Sequence, residues 1–300
     1  MAGKDPLKDL MKFIESNSSD VDNEEELNDL ISSYLKAQNS KVQTRMTEKD
    51  ARTSDDYMEL AEDAKDLESA LKYARKALKL DPDNLEAELF VADYSATSVL
   101  DNLNKAKRAV NHGTDVMTRQ GYMNKENEGE FWLLFETRPY MRILKHYVEA
   151  LIECGMMKKA ASECENILRL NTNDNMGARY TLMHLYALLE MEDQALELHK
   201  RYKEDSTLML LPLSLLYYKQ DDFSKASRYL TRLVKANPDT RLFFRIIGTD
   251  EFTKIAKNMN SFGYRPNTIE EFVISLEENS FAFEGATAFF EWASEQLRKK

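Results

Sequence analysis

Two stretches decide the fold: ETRPYMRILKHYVEALIECGMMKKAASECENILRL, residues 136–170, and NDNMGARYTLMHLYALLEMEDQALELHKRY, residues 173–202. Each reads as two amphipathic helices joined by a short turn. In the first, Pro139 suits the opening turn of a helix, where an amide hydrogen would lack a partner anyway. Leu144, Tyr147, Val148 and Leu151 then recur at helical spacing. Gly155 makes the turn, and Ala160, Cys164 and Ile167 form the packing edge of the second helix. The second stretch repeats the scheme with Leu182, Met183 and Tyr186, then Ala195, His199 and Tyr202; the step from Ala160 to Ala195 is 35 residues. A period of this size belongs to a helical hairpin that cannot bury its apolar face alone and stacks on copies of itself.

Working outward, SALKYARKALKLDPDN sets Ala70 and Ala77 seven apart with Pro82 five further on. This resembles the second helix of a tetratricopeptide unit, where small side chains let neighbouring helices approach and proline stops the helix. Its first helix is placed near Tyr57–Lys65. A further unit begins near Ala87, with a second helix over about Leu103–Val116 that keeps the seven-residue offset from Ala106 to Gly113. Another runs from about Thr207 through Leu213, Tyr217 and Asp221 to Pro238. The fold class is therefore all-α: a tetratricopeptide-like helical-hairpin solenoid of about five hairpins over residues 55–240, interrupted by an insertion at 117–136. Residues 1–40 are read as an N-terminal helical pair, 41–54 as a linker, and 241–300 as a helical cap over the last apolar face. Within that cap Asn267 or Thr268 is set to start a helix over Ile269–Glu278, and a last helix covers about Gly285–Lys299.

Composition narrows the function. Gly and Pro number only 9 and 6, which favours long helices. A net charge of −11 argues against a broad grip on nucleic acid. Cys154 and Cys164 lie outside any C-x-x-C pair, which speaks against a disulfide framework or zinc knuckle and for thiols in a reducing cytoplasm. No apolar run is long enough for a membrane span, and Asp and Lys interrupt the N-terminal stretch where a signal peptide would be apolar. No metal-ligand pattern, phosphate loop or catalytic constellation is legible, so no cofactor, metal or enzyme activity is expected.

Two segments carry more than the repeat requires. One is Phe131 and Trp132 followed by Glu136–Arg142; the other is Leu170, Asn171, Asn173–Asn175, Gly177, Arg179 and Tyr180. On these segments, over about residues 55–300, the chain resembles bacterial tetratricopeptide proteins related to the suppressor-of-tumorigenicity-seven family. The resemblance implies a solenoid and implies no reaction.

The same segments supply the candidate site. Arg138, Tyr140, Arg142, Lys145 and His146 open one first helix, and Arg179, Tyr180 and His184 lie on the first helix of the next hairpin. First helices of successive repeats line the concave groove, so this cluster could receive an acidic or C-terminal peptide. The alternative is structural, with Arg138 and Arg179 paired to Glu136 and Asp174. Asn173 and Asn175 are either ligand contacts or, with Asp174, a helix cap. The Phe131–Phe135 run is read as packed on the repeats, or else as a binding patch. The expected function is a non-enzymatic scaffold for a protein or peptide partner; the alternative is a groove filled by the chain's own acidic, aromatic C-terminal segment or by a second subunit, and a minor alternative is an unrecognised enzyme.

Overall fold

The computed structural model describes residues 10–14, 30–34, 46–259 and 263–299. Most of the expected N-terminal pair and linker lies outside these; residues 10–14 and 30–34 are helical, with the rings of Phe13 and Tyr34 4.9 Å apart. Among the described residues the regular structure is α-helix with short 3₁₀ turns, together with one antiparallel bridge between Glu130 and Asn171. It divides into two compact units: Met1–Met123 with Trp132–Ile143, and Asn124–Phe131 with Leu144–Lys300.

The first unit holds two hairpins, α1 (Ser54–Glu62) with α2 (Leu67–Leu80) and α3 (Leu85–Tyr94) with α4 (Val99–Arg119). Their starts are set by side chains that take up orphan amides: a Thr53–Asp56 capping box for α1, then Asp66, Asn84 and Ser98. These caps explain why α1 starts before Tyr57 and α4 before Leu103. Inside the hairpins, Ala74, Ala77, Ala87 and Ala106 are fully buried, so the helix backbones approach closely where a larger side chain would hold them apart. Ser54 Oγ donates to the Ala77 carbonyl at 3.0 Å and accepts from Asn84 Nδ2 at 2.8 Å, tying the end of α2 to both first helices. A 3₁₀ turn, Phe135–Thr137, leads into α5 (Arg138–Glu153), whose residues 138–143 belong to this unit.

The second unit takes the rest of α5, then α6 (Met157–Leu170), α7 (Ala178–Leu188), α8 (Glu192–Tyr202), α9 (Thr207–Lys219) and α10 (Phe223–Ala236). The three first helices end alike. Gly155, Glu190 and Asp221 stand in the left-handed region at φ 70°, 58° and 61°. The next amide in each case reaches back to the carbonyl of Leu151, Tyr186 or Tyr217 at 2.8–2.9 Å. This is the Schellman termination, which satisfies carbonyls that a helix end leaves open and turns the chain sharply into its partner helix.

Residues 124–131 dock on the α6–α7 connection: Phe131 N–H donates to the Leu170 carbonyl at 2.9 Å and Thr172 N–H to that of Gly129 at 3.0 Å. Phe131 is buried, whereas Leu133, in the first unit, is 51% exposed. The expected apolar run thus divides between packing and surface.

Four short helices follow, α11 (Thr240–Ile246), α12 (Asp250–Lys257), α13 (Ile269–Glu278) and α14 (Thr287–Arg298), with a 3₁₀ turn at Ser280–Ala282. Thr268 caps α13 through the Glu270 amide. Phe243 stacks on Phe272 at 4.1 Å, and both are fully buried with Phe289. Burial of each such ring contributes about 1.5–3 kcal/mol.

One packing contact gives an outcome opposite to helix propensity. An alanine at Gly113, within α4, places its Cβ 2.7 Å from Tyr140 Cδ2. Tyr140 is buried, and its hydroxyl is 2.9 Å from Thr114 Oγ1. Gly113→Ala is therefore expected to destabilise the chain by about 1–3 kcal/mol, where an exposed helix interior would gain up to about 1 kcal/mol. Denaturant unfolding of the variant decides this.

Candidate functional site

The ten candidate residues fall in both units, so each group is described within its own. In the first, Arg138 Nε donates to the Trp132 carbonyl at 2.8 Å, and its guanidinium lies 4.2 Å from the Phe135 ring centroid. Arg142 pairs with Glu86 on α3 and lies 5.8 Å from the Trp132 ring. Tyr140 is a buried core side chain. The two arginines thus hold the FW–ETRPYMR segment, Arg138 through a carbonyl and an aromatic face.

In the second unit Lys145 is exposed and His146 half-buried on α5. Asn173 and Asn175 are exposed and flank Asp174, which is buried at φ 51°. The Asp174 carboxylate accepts from the amides of Ala178 at 2.8 Å and Arg179 at 3.0 Å, and from Arg179 Nη1 at 2.9 Å. Asp174, rather than either asparagine, therefore caps α7. Burial dominates its electrostatics and pushes its carboxyl above the ordinary range despite those donors. Gly177 adopts φ 71°, which is why this position carries no side chain.

Arg179 is consumed on all sides. Besides Asp174, its Nε donates to Glu204 Oε2 at 3.0 Å, and its guanidinium stacks over Tyr180 at 4.1 Å and Tyr202 at 5.3 Å. Tyr180 donates its hydroxyl to Glu204 Oε1 at 2.8 Å; burial first, then Glu204, raises its pKa. Such a network fixes the α7–α8 hairpin and its entry loop.

His184 is fully buried. Its Nδ1 sits 2.7 Å from the Tyr180 carbonyl, so that nitrogen carries the proton, and Nε2 accepts from Ser275 Oγ at 3.0 Å. Burial lowers its pKa to about 4, so the ring is neutral at physiological pH. Phe283 packs edge-on at 5.5 Å.

Ser275 and Phe283 belong to the C-terminal segment, which lies along the first-helix face of the last two hairpins. There Glu271, 2% exposed, accepts from Thr207 Oγ1 at 2.7 Å and from Asn237 Nδ2 at 3.3 Å. Asn237 Nδ2 also donates to the Thr268 carbonyl, and Ile269 N–H to Asp239 Oδ2, each at 2.9 Å. Helix α9 is consequently buried from Thr207 to Tyr217. On the opposite, second-helix side an open cleft of about 590 Å³ lies between α6, α7 and α8, floored by Leu182 and Tyr186 and rimmed by Glu165, Glu197, Lys200 and Arg201. Among the described residues no group of His, Cys, Asp and Glu is placed to hold a metal ion, and no helix is long and apolar enough to cross a membrane.

His112 on α4 was not among the histidines singled out in the sequence. Its Nδ1 is 2.6 Å from Glu88 Oε2 and its Nε2 3.3 Å from Asp83 Oδ1, while Arg119 donates to Asp83 at 2.9 Å. The only available signal was an acid 24 residues upstream on the preceding first helix. Burial favours the neutral ring, but the two carboxylates outweigh it and raise its pKa above the ordinary value.

Two outcomes follow. Arg179→Met leaves the buried Asp174 carboxylate without its cation and is expected to cost about 3 kcal/mol, read as a shift in the denaturation midpoint; an unchanged midpoint would show that the pair does not hold the turn. His112, with its folded pKa above its unfolded one, contributes stability that is complete below the unfolded pKa and lost as pH rises through the folded value. As pH rises from about 6.5 through that raised folded value the melting temperature should fall, and that of His112→Gln should fall less.

Residues 57–84, from within α1 to the turn before α3, match the family model of the tetratricopeptide repeat. No curated protein matches the chain.

Proposed function

We propose that this chain is a non-enzymatic scaffold that holds a protein or peptide partner on the first-helix face of its first unit, along α1 and α3. The tetratricopeptide match at 57–84 covers the hairpin that begins this face, and first helices are the side such repeats offer to ligands. One observation carries the choice of unit. In the second unit the corresponding face of α7 and α9 is already covered by the chain's own α13 and the turn after it. That cover buries Phe272 and Glu271 as completely as a core, so a partner would have to unpack it. For the second unit this covering supports the alternative in which the groove is filled from within.

The basic clamp for an acidic peptide finds less support. Arg138, Arg142 and Arg179 each spend their donors on Trp132, Glu86, Asp174 and Glu204. Lys145, Asn173 and Asn175 are the exposed members of the set, and His146 is half-buried. The two segments that carry the likeness to the suppressor-of-tumorigenicity-seven family, around ETRPYMR and LNTNDNMGARY, support distant kinship with it. Cys154 and Cys164 form no disulfide, in keeping with a cytoplasmic setting.

A photo-crosslinking side chain at Tyr94, 49% exposed at the end of α3, tests the assignment against the same group at exposed Arg75 on α2. In cells of the native organism the Tyr94 position should give a discrete crosslinked partner and the Arg75 position should not. Crosslinking only from Arg75 would move the docking face to the second helices.

A further inference from the structure

We propose that the open cleft on the second-helix side of the second unit is a binding site for a short apolar peptide with both ends free, held by its ammonium and its carboxylate. The site is separate from α1 and α3 and does not rest on the docking face proposed there. Its volume of about 590 Å³ falls within the roughly 300–1,000 Å³ of small-molecule sites. Leu168 of α6, Leu182 of α7 and Leu198 of α8 line it, all three otherwise buried. A surface of this kind favours aliphatic side chains, which leave water on binding there.

Charge is divided along the cleft. At one end Tyr186 donates its hydroxyl to Glu165 Oε1 at 2.8 Å. Burial first, then Glu165 and at longer range Glu197, raise the pKa of that phenol, so carboxylates from both walls bear on the same end. Further along both walls the sign reverses. Arg201 Nη2 donates to the carbonyl of Leu168 at 3.2 Å, which sets the guanidinium beyond Glu165 on α6, and Lys200 lines the cleft beside it. Glu197 and Lys200 are exposed, and among the described residues neither side chain has a hydrogen-bond or ion-pair partner. Both poles therefore keep charge to offer a ligand.

The spacing of the poles sets the length of the occupant. Helix α8 rises about 6 Å from Glu197 to Arg201, and two extended residues span about 7 Å. A dipeptide laid along the cleft brings its ammonium to Glu165 and Glu197 and its carboxylate to Lys200 and Arg201, with its side chains on the three leucines. Charge-assisted hydrogen bonds then form at both ends, and these are stronger than neutral ones. A ligand of a single sign would meet like charge at one pole or the other.

Isothermal titration calorimetry of the full chain with Leu-Leu, N-acetyl-Leu-Leu and Leu-Leu amide tests this. Leu-Leu should bind with a Kd on the order of 0.1–1 mM, as its size allows. Each blocked form should bind at least about tenfold more weakly. Glu165→Gln with Glu197→Gln keeps an acceptor for Tyr186; it should weaken Leu-Leu by about tenfold and abolish its advantage over the acetylated form. Lys200→Met with Arg201→Met should do the same against the amide. Should that pair fail to fold by circular dichroism, Lys200→Met alone, at an exposed position, should reduce the advantage. If the acetylated form binds as tightly as Leu-Leu, the free-ended ligand is overturned in favour of a protein C-terminus; if the amide does, in favour of an N-terminus. No binding of any of the three, or Leu-Leu binding unchanged by every substitution, overturns the site.

Discussion

The second unit depends on how helix α9 is covered. TLMLLPLSLLYYK is apolar around its whole circumference, and such a helix is stable only when buried on every side. Its neighbours in the repeat, α7 and α10, account for part of that surface. The remainder faces what would be the groove, and the C-terminal segment closes it with α13. The closure has a defined register because Glu271 must meet Thr207 and Asn237, and Ser275 one helical turn later must meet His184. Polar groups buried in this way cost about 1–3 kcal/mol each if left unpaired, so a slip of the segment by even one residue would be penalised at both points.

A neutral His184 and an inward-facing Ser275 therefore belong to the joint between repeat and cap. The same joint removes the first-helix face of the last two hairpins from the surface open to a partner. Partner docking is accordingly sought where the first helices retain exposed apolar and charged side chains, along α1 and α3.

Charge tells a parallel story. A net −11 for the whole chain suggested an acidic molecule with a local basic groove. From α1 to α4 the balance alternates helix by helix, acidic on α1 and α3 and basic on α2 and α4. The arginines that looked like a ligand clamp are absorbed by partners far along the chain: Glu86 for Arg142, 56 residues away, and Glu204 for Arg179, 25 residues away. Counting charges along a helix could not reveal this, since whether a guanidinium is offered or consumed depends on what the fold brings to it. Asp174 and Gly177 were legible in kind, a cap and a small residue; their reasons were tertiary and conformational, a buried carboxylate beneath Arg179 and a left-handed backbone.

By itself the sequence determined the all-α class, the hairpin period and most helix ends. Small residues at Ala70, Ala77, Ala106 and Ala160, turn positions at Gly155 and Asp221, and the cap at Thr268 act through local sterics and hydrogen bonds that are written within a few residues. It also marked ETRPYMR and NDNMGARY as more than the repeat requires. Only the tertiary structure decided that Arg138, Arg142 and Arg179 in these segments meet partners within the chain, that His112 sits between two carboxylates, and that the C-terminal segment lies against α7 and α9. Those outcomes depend on which side chains meet across tens of residues, and burial and pairing energies act on contacts in space, not on spacing along the chain.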